Sequence, residues 1–141
     1  MKNASGYDLR HLFIGSEGTL GLIVEATLRL TDPPKPSRVM LLAVDSLDGM
    51  MTVFKQFNED LQLAAFEFLS DAAMRHVRSG HDLPAPMDTE TAYYALLEFD
   101  CVDSSQEDLA LERFEHCMEE GAVLDGVISQ SEAQAADLWR Y

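Results

Sequence analysis

The 141-residue sequence has little positive charge, few cysteines and no long apolar run. Only 10 lysines and arginines stand against 25 aspartates and glutamates, which gives a formal net charge of −15. A surface this negative repels nucleic-acid phosphates and anionic lipids, so we expect neither nucleic acid nor a membrane surface as a partner. No apolar stretch approaches the ~20 residues that a membrane-spanning helix needs.

The two cysteines, Cys101 and Cys117, form neither a CxxC pair nor a metal-ligand spacing. Each is therefore expected to be a small, partly buried residue in a reducing compartment. The residues after Met1 contain no apolar signal-peptide core, and these features together predict a cytoplasmic protein. No metal site is predicted, because His76 and His81 are five residues apart, whereas ligand pairs on a helix are spaced by four.

Charge and glycine are distributed unevenly along the chain. Residues 1–40 carry five bases and four acids, whereas residues 41–141 carry five bases and 21 acids. Four of the eight glycines lie within the first 21 residues. The segment Asp32-Pro33-Pro34-Lys35-Pro36 follows, and such stiff segments commonly link domains. We therefore expect residues 1–32 and residues 33–141 to be different structural units.

The first unit is predicted to contain a short helix, a glycine loop and a strand. Asp8 is placed to cap a helix over Leu9–Phe13, and the loop runs from Gly15 to Gly21. Residues 22–30 alternate in part between apolar and polar side chains. This alternation predicts a strand with one buried face.

Predicted strands and helices alternate through the second unit. The strands are expected at residues 39–44, 64–69, 92–99 and 123–128. The helices are expected at residues 47–57, after Ser70 to about Arg78, 104–120 and from 132 onward. Two capping boxes mark the starts of the last two helices, Ser104-Ser105-Gln106-Glu107 and Ser131-Glu132-Ala133-Gln134.

Two sheet architectures fit this alternation. Strict alternation is compatible with a parallel, doubly wound sheet. However, Glu67, Glu98 and Asp125 interrupt the predicted strands, and parallel strands covered on both faces are almost wholly apolar. We therefore predict an α+β fold with a ferredoxin-like, mainly antiparallel sheet and helices on one face.

The three loop glycines, Gly15, Gly18 and Gly21, are spaced three residues apart. This spacing is not the GxGxxG dinucleotide fingerprint, which follows a strand, nor a Walker loop, which requires Gly-Lys-Ser/Thr. Glycines permit positive φ angles and close approach of backbone amides to an anion such as pyrophosphate. Taken alone, the spacing favours a tight turn between a helix and a strand.

The longer string around the loop is Lys2-Asn3-Ala4-Ser5-Gly6-Tyr7-Asp8-Leu9-Arg10-His11-Leu12-Phe13-Ile14-Gly15-Ser16-Glu17-Gly18-Thr19-Leu20-Gly21-Leu22-Ile23. It resembles the end of the FAD-binding domain in the FAD-linked oxidase family of the vanillyl-alcohol-oxidase type. That group includes D-lactate dehydrogenase, glycolate oxidase and D-2-hydroxyglutarate dehydrogenase. Three later strings resemble the family's C-terminal cap domain: Ala65-Phe66-Glu67-Phe68, Asp125-Gly126-Val127-Ile128-Ser129-Gln130-Ser131 and Leu138-Trp139-Arg140-Tyr141.

The resemblance implies FAD as the cofactor, contacted largely through backbone groups. The implied contact residues are Gly15, Ser16, Glu17, Gly18, Thr19, Leu20, Gly21 and Ile23. It also implies that residues 1–32 are the C-terminal end of the FAD-binding domain and that residues 33–141 are part of the C-terminal cap, or substrate, domain.

The implied parent reaction is hydride transfer from the Cα of a small D-2-hydroxy acid to the flavin. In the family an arginine holds the substrate carboxylate and a histidine accepts the hydroxyl proton. The resemblance places both residues, and the main pyrophosphate loops, outside residues 1–141. No catalytic residue is therefore assigned here, and we expect the chain alone to be inactive and to bind FAD weakly or not at all.

Two alternatives stay open at this point. One is a stand-alone α+β association module that forms a homodimer through an open sheet edge. The other is one half of a split enzyme that other chains complete. The sequence does not choose between D-lactate, glycolate and D-2-hydroxyglutarate as the substrate of a parent enzyme.

Overall fold

The computed structural model describes residues 6–141, so the Lys2-Asn3-Ala4-Ser5 part of the family-like string lies outside the described residues. The chain divides between Pro33 and Pro34 into two structural units. The helices and strands are, in chain order, α1 (Arg10–Phe13), β1 (Ser37–Val44), α2 (Leu47–Asp60), β2 (Leu63–Ser70), α3 (Asp71–His81), β3 (Tyr93–Asp100), α4 (Ser104–Glu119), β4 (Val123–Ile128) and α5 (Glu132–Leu138).

The strand predicted at residues 22–30 is absent, so this prediction was wrong. These residues form no regular secondary structure, and apolar side chains such as Val24 and Leu30 are exposed. A strand needs a neighbour to satisfy its backbone groups. Every strand in the described part of the chain belongs instead to the sheet of the second unit. The partial alternation of apolar and polar residues gives no information on whether another strand pairs with residues 22–30.

The second unit is built on a four-stranded sheet with the strand order β2-β3-β1-β4. All three neighbouring pairs are antiparallel, which confirms the α+β, ferredoxin-like prediction and excludes the parallel alternative. The crossovers β1-α2-β2 and β3-α4-β4 each leave room for one strand in between, as in a split βαβ motif. The two central strands pair along their full lengths, with Leu41 opposite Leu96.

Both faces of this sheet are covered. The long helices α2 and α4 pack on one face, where residues such as Leu42 and Phe57 form the larger core; the prediction placed all the helices on one face. The short helices α3 and α5 contribute Met74 and Leu138 to a smaller core on the opposite face, around Leu41. The helices therefore pack on the sheet from both sides, with the long pair on one face.

Helix α4 begins one residue earlier than its capping box predicted. Asp103, and not Ser104, is the N-cap, and its Oδ1 accepts a hydrogen bond from the Ser105 backbone N–H at 2.8 Å. Gln106 Oε1 accepts the Asp103 backbone N–H at 2.9 Å and completes the box. The carboxylate replaces the predicted hydroxyl because it is an equally good cap and also complements the helix dipole.

The serine N-caps of α3 and α5 agree with prediction. Ser70 and Ser131 each accept a hydrogen bond from a backbone N–H in the first turn of α3 and α5. Helix α3 continues past the predicted end at Arg78 to His81, and Asp82 then ends it in a left-handed conformation with φ of 51°. None of the helices among residues 6–141 has the length and apolarity required to cross a bilayer.

Both cysteines are free and lie deeper in the protein than the partial burial predicted for them. Cys117 is fully buried on α4, and Cys101 follows β3 with 8% of its surface exposed. Burial raises the pKa of the Cys117 thiol to about 11 and also raises the pKa of Cys101. Both side chains therefore behave as small core residues and not as reactive thiolates.

Gly126 on β4 has no space for a larger side chain. A Cβ atom there would lie 2.6 Å from Leu42 Cδ2 and 2.7 Å from Phe114 Cε2. We expect Gly126→Ala to lower the free energy of unfolding, measured in urea, by about 1–3 kcal/mol because it overpacks the core. Gly80→Ala is the control, since a Cβ at that helical position meets no atom within 4 Å. Equal stabilities of the two variants would contradict this packing.

The buried thiol of Cys117 predicts a pH dependence of stability. The unfolded chain loses this proton near pH 9 and the folded chain near pH 11, so the stabilisation is complete below pH 9 and is lost as the pH rises through 11. We expect a loss of about 2–3 kcal/mol across this window in the parent chain, and a correspondingly smaller loss in Cys117→Ala. Urea denaturation at pH 8 and pH 11 measures both. Equal declines would show that other groups cause the effect.

Candidate functional site

A short helix and the loop after it carry seven of the eight residues predicted to contact FAD. Helix α1 ends at Phe13, and the loop runs from Gly15 to Gly21. Before the helix, Asp8 Oδ1 accepts hydrogen bonds from the Arg10 backbone N–H at 3.2 Å and from Arg10 Nε at 2.8 Å. These side-chain bonds from Arg10 lower the pKa of Asp8 to about 2. Leu9, and not the predicted Asp8, is the N-cap residue of α1, and it makes no side-chain cap hydrogen bond.

Two hydroxyl side chains close the loop on itself. Ser16 Oγ donates to the Phe13 carbonyl at 2.9 Å, and Thr19 Oγ1 donates to the Ser16 carbonyl at 2.7 Å. The backbone N–H groups of Ser16 and Thr19 donate to the same two carbonyls. These two residues therefore shape the loop, which limits their side chains as ligands for a cofactor.

The middle of the loop leaves backbone donors available. Gly15, Glu17 and Gly18 have positive φ angles of 83°, 51° and 81°. No described residue accepts a hydrogen bond from the backbone N–H of Glu17 or Gly18. Exposed N–H groups beside positive-φ residues are an arrangement that binds anions through the main chain. The loop therefore fits the predicted backbone contact with FAD.

The apolar members of the predicted set lie toward the end of the loop and beyond it. Leu20 is 63% exposed and Ile23 is 61% exposed. The structure thus places Gly15–Gly21 in a loop of two consecutive turns, while Ile23 follows in a segment without regular secondary structure. Apolar side chains this exposed are available to a ligand or a neighbouring domain. That all eight residues contact FAD stays a prediction.

The second unit contains a polar cluster around Glu98 that the sequence analysis did not identify. Glu98 lies on β3, and its Oε1 accepts a hydrogen bond from Ser37 Oγ at 2.6 Å. Its other carboxylate oxygen, Oε2, accepts the indole N–H of Trp139 at 2.9 Å. The carboxylate thereby ties the residue that follows α5 to the starting residue of β1 and orients the Trp139 ring.

Cations beside this cluster are already paired. Lys35 Nζ lies 2.9 Å from Asp100 Oδ2, and Arg38 Nε lies 3.3 Å from Glu107 Oε2. These pairs hold the start of β1 to the end of β3 and to α4. Within residues 6–141, no three or more histidine, cysteine or acidic side chains are grouped to hold a metal ion.

A signal for Glu98 is present in the sequence. It interrupts an otherwise apolar strand, and a carboxylate in such a strand needs hydrogen-bond partners. The sequence analysis used this interruption only to choose the sheet type. The partners Ser37 and Trp139 are distant in sequence, so only the fold identifies them.

A comparison with known protein families identifies the family that the second unit matches. The family described as FAD linked oxidases, C-terminal domain, matches residues 33–141. The chain belongs to the FAD-linked oxidase family. FAD is the cofactor of this parent family, as the string around the glycine loop indicates.

Curated relatives of this FAD-linked oxidase chain include D-2-hydroxyglutarate dehydrogenases. The protein of that name from Xanthomonas citri pv. viticola is 59% identical over 140 residues, which are 99% of this chain and 29% of the relative. The protein from Stutzerimonas stutzeri is 50% identical over 140 residues, again 99% of this chain and 30% of the relative. The mitochondrial protein from Arabidopsis thaliana is 37% identical over 145 residues, 99% of this chain and 26% of the relative. The chain spans less than a third of the length of these relatives.

Trp139 is the only tryptophan, so its fluorescence reports on the Glu98 cluster alone. We expect Glu98→Ala to remove the acceptor of the indole N–H, to shift the emission maximum and to increase quenching by acrylamide. The free energy of unfolding should fall by about 1 kcal/mol, since the hydrogen bond is partly exposed to water. Glu98→Gln keeps an acceptor oxygen and should retain most of the parent spectrum. Identical spectra for all three proteins would refute the cluster.

Proposed function

We propose that this chain is part of an FAD-dependent dehydrogenase of a small D-2-hydroxy acid. The observation that carries the proposal is 59% identity, over 99% of the chain, to a D-2-hydroxyglutarate dehydrogenase. The exposed backbone donors of the glycine loop support the same assignment, because they suit an anionic cofactor.

The two structural units correspond to two roles in this proposal. Residues 1–32 form the C-terminal end of the FAD-binding domain, and residues 33–141 form part of the C-terminal cap domain. The division of the chain between Pro33 and Pro34 supports this boundary, as does the family match over residues 33–141.

The loop contributes cofactor binding and no acid–base group. The backbone N–H groups of Glu17 and Gly18 would donate to FAD, and Leu20 and Ile23 would shield it from water. FAD, when bound, accepts the hydride removed from the substrate Cα. No residue of this chain is assigned the proton acceptor or the substrate-carboxylate arginine.

Of the three candidate substrates of the parent enzyme, we propose D-2-hydroxyglutarate ahead of D-lactate and glycolate, since the relatives at 59% and 50% identity are named for it. A cytoplasmic location is part of the proposal and rests on the two free, buried thiols. The relative from Arabidopsis thaliana is named mitochondrial, so its compartment differs from the one proposed here.

The 141-residue chain alone is expected to lack dehydrogenase activity and to bind FAD weakly. Catalysis of this kind requires the cofactor, the substrate carboxylate and the proton acceptor to be held in one site. The chain spans only 29% of the Xanthomonas citri relative. Visible absorption of the purified chain, before and after addition of FAD and desalting, tests the binding. Flavin bands that survive desalting, or turnover of any of the three hydroxy acids with a dye acceptor, would contradict the expectation.

A chimera tests the dehydrogenase proposal directly. The matching segment of the Xanthomonas citri relative is replaced by this chain, and FAD binding and kcat/KM are measured. We expect the chimera to bind FAD and to keep kcat/KM for D-2-hydroxyglutarate within about 10-fold of the relative, or about 1.4 kcal/mol. A chimera that folds but neither binds FAD nor oxidises D-2-hydroxyglutarate would contradict the dehydrogenase proposal.

The same chimera tests the glycine loop. Gly18→Ala should weaken FAD binding about 10-fold, because alanine is strained at a φ of 81°. Gly80→Ala is the matched control, since this glycine has open space and an ordinary helical backbone. Equal FAD affinity in the two variants would remove the loop from the cofactor site.

We also propose, as a second candidate function, association of the chain through an open sheet edge. The observation that favours it is a set of exposed apolar side chains beside an edge strand, with Phe68 at 52% and Met51 at 63% exposure. This function does not conflict with the first, because a cap domain without activity of its own can still fold and associate.

A further inference from the structure

The glycine loop lies in a unit that has no core to hold it in shape. Among residues 6–33 no side chain is buried, and helix α1 before the loop has only four residues. The backbone donors proposed for FAD lie in the middle of this loop, so their direction depends on local contacts. A single residue that contacts both ends of the loop would fix that direction.

Phe13, the last residue of α1, contacts the start of the loop through its backbone. The Phe13 carbonyl accepts a hydrogen bond from the Ser16 backbone N–H at 3.2 Å and another from Ser16 Oγ at 2.9 Å. The Ser16 carbonyl in turn accepts the backbone N–H of Thr19 at 3.0 Å and its hydroxyl at 2.7 Å. The two turns of the loop are therefore linked in series to the carbonyl of Phe13.

The ring of Phe13 reaches the other end of the loop, at Gly21. A Cβ atom on Gly21 would lie 3.2 Å from Cε1 and 3.5 Å from Cδ1 of this ring. The first distance is shorter than an ordinary van der Waals contact, so the ring occupies space that a side chain at position 21 would need. By contrast, a Cβ atom on Gly15 would meet no atom within 4 Å. Close approach of the Phe13 ring therefore accounts for a glycine at position 21.

We infer that Phe13 is a positioning residue for the cofactor loop and acts through Ser16 and Gly21. This role rests on the proposed function, because it takes FAD as the ligand of the loop. With both ends of the loop held by one residue, the N–H groups of Glu17 and Gly18 keep the direction in which they would donate to FAD. A loop already in its binding conformation avoids the entropy cost of ordering, so the role of Phe13 is expected to appear in the affinity for FAD.

Phe13 takes no part in the chemistry under this assignment. Its ring is apolar and supplies neither an acid nor a base, so it affects FAD only through the loop. We therefore expect changes at Phe13 to weaken FAD binding and to leave kcat/KM at saturating FAD within about twofold of the unmodified protein.

The chimera with the Xanthomonas citri relative is the protein for the test, and flavin absorption and fluorescence give the dissociation constant of FAD. We expect Phe13→Ala to raise this constant about 10-fold, whereas Phe13→Tyr, which keeps the ring, should stay within about twofold of the unmodified chimera. Leu124→Ala is the control, because Leu124 in the second unit is 43% exposed, as Phe13 is. Thermal melts without FAD check that each variant is folded.

A double-mutant cycle isolates the contact between Phe13 and Gly21. Gly21→Ala should also raise the dissociation constant about 10-fold, since its methyl group displaces the ring. The double variant should lose about 10-fold and not about 100-fold, because both single changes remove the same contact. Strain from the φ of 156° at Gly21 would instead persist without the ring, and the two losses would multiply. Phe13→Leu, which keeps apolar bulk without a flat ring, replaces Phe13→Ala in the cycle if the alanine variant does not fold.

The outcomes separate the positioning role from the proposed function. Losses that do not multiply, together with retained binding in Phe13→Tyr, support the role. Losses that multiply, unchanged FAD affinity in Phe13→Ala, or an equal loss in Leu124→Ala overturn the role and leave the dehydrogenase proposal untouched. A lower kcat/KM at saturating FAD in Phe13→Ala also contradicts a role confined to the loop. A folded, unmodified chimera that neither binds FAD nor oxidises D-2-hydroxyglutarate overturns the proposed function, and the role of Phe13 with it.

Discussion

Strand β1 (Ser37–Val44) is the element on which the second unit depends, because six of its eight residues are buried and its two faces belong to different cores. An apolar strand of this kind must have neighbours on both edges and cover on both faces. β3 and β4 pair with the two edges of β1, helices α2 and α4 cover one of its faces, and α3 and α5 cover the other. The Glu98 cluster follows from the same constraint, since closing α5 over the sheet brings Trp139 to the start of β1.

The first unit is stabilised in a different way. Its glycine loop is held by local bonds, from the hydroxyl groups of Ser16 and Thr19 to carbonyls three residues earlier, and it needs no core. A loop held in this way keeps its shape while its middle N–H groups stay exposed. That combination suits a surface that meets a cofactor, and it explains why the loop pattern is visible in the sequence.

Much of the fold could be predicted because the patterns involved are local. The apolar run Val39–Val44 and the charges at Glu67, Glu98 and Asp125 together indicated an antiparallel sheet, which the structure has. The failures have different causes. Residues 22–30 alternate like a strand, but no strand among residues 6–141 pairs with them, and this cannot be read from a local pattern. The cap of α4 lies one residue before the predicted serine because an adjacent aspartate competes for the position.

The sequence by itself determined the family resemblance, the glycine loop, the α+β class and most helix and strand positions, since each depends on residues that are close along the chain. Only the tertiary structure decided which side chains meet across distant segments. It paired Glu98 with Ser37 and Trp139, placed short helices on the second face and set the strand order β2-β3-β1-β4. Such contacts join residues that are far apart in sequence, and their energy depends on how the completed sheet orders its strands.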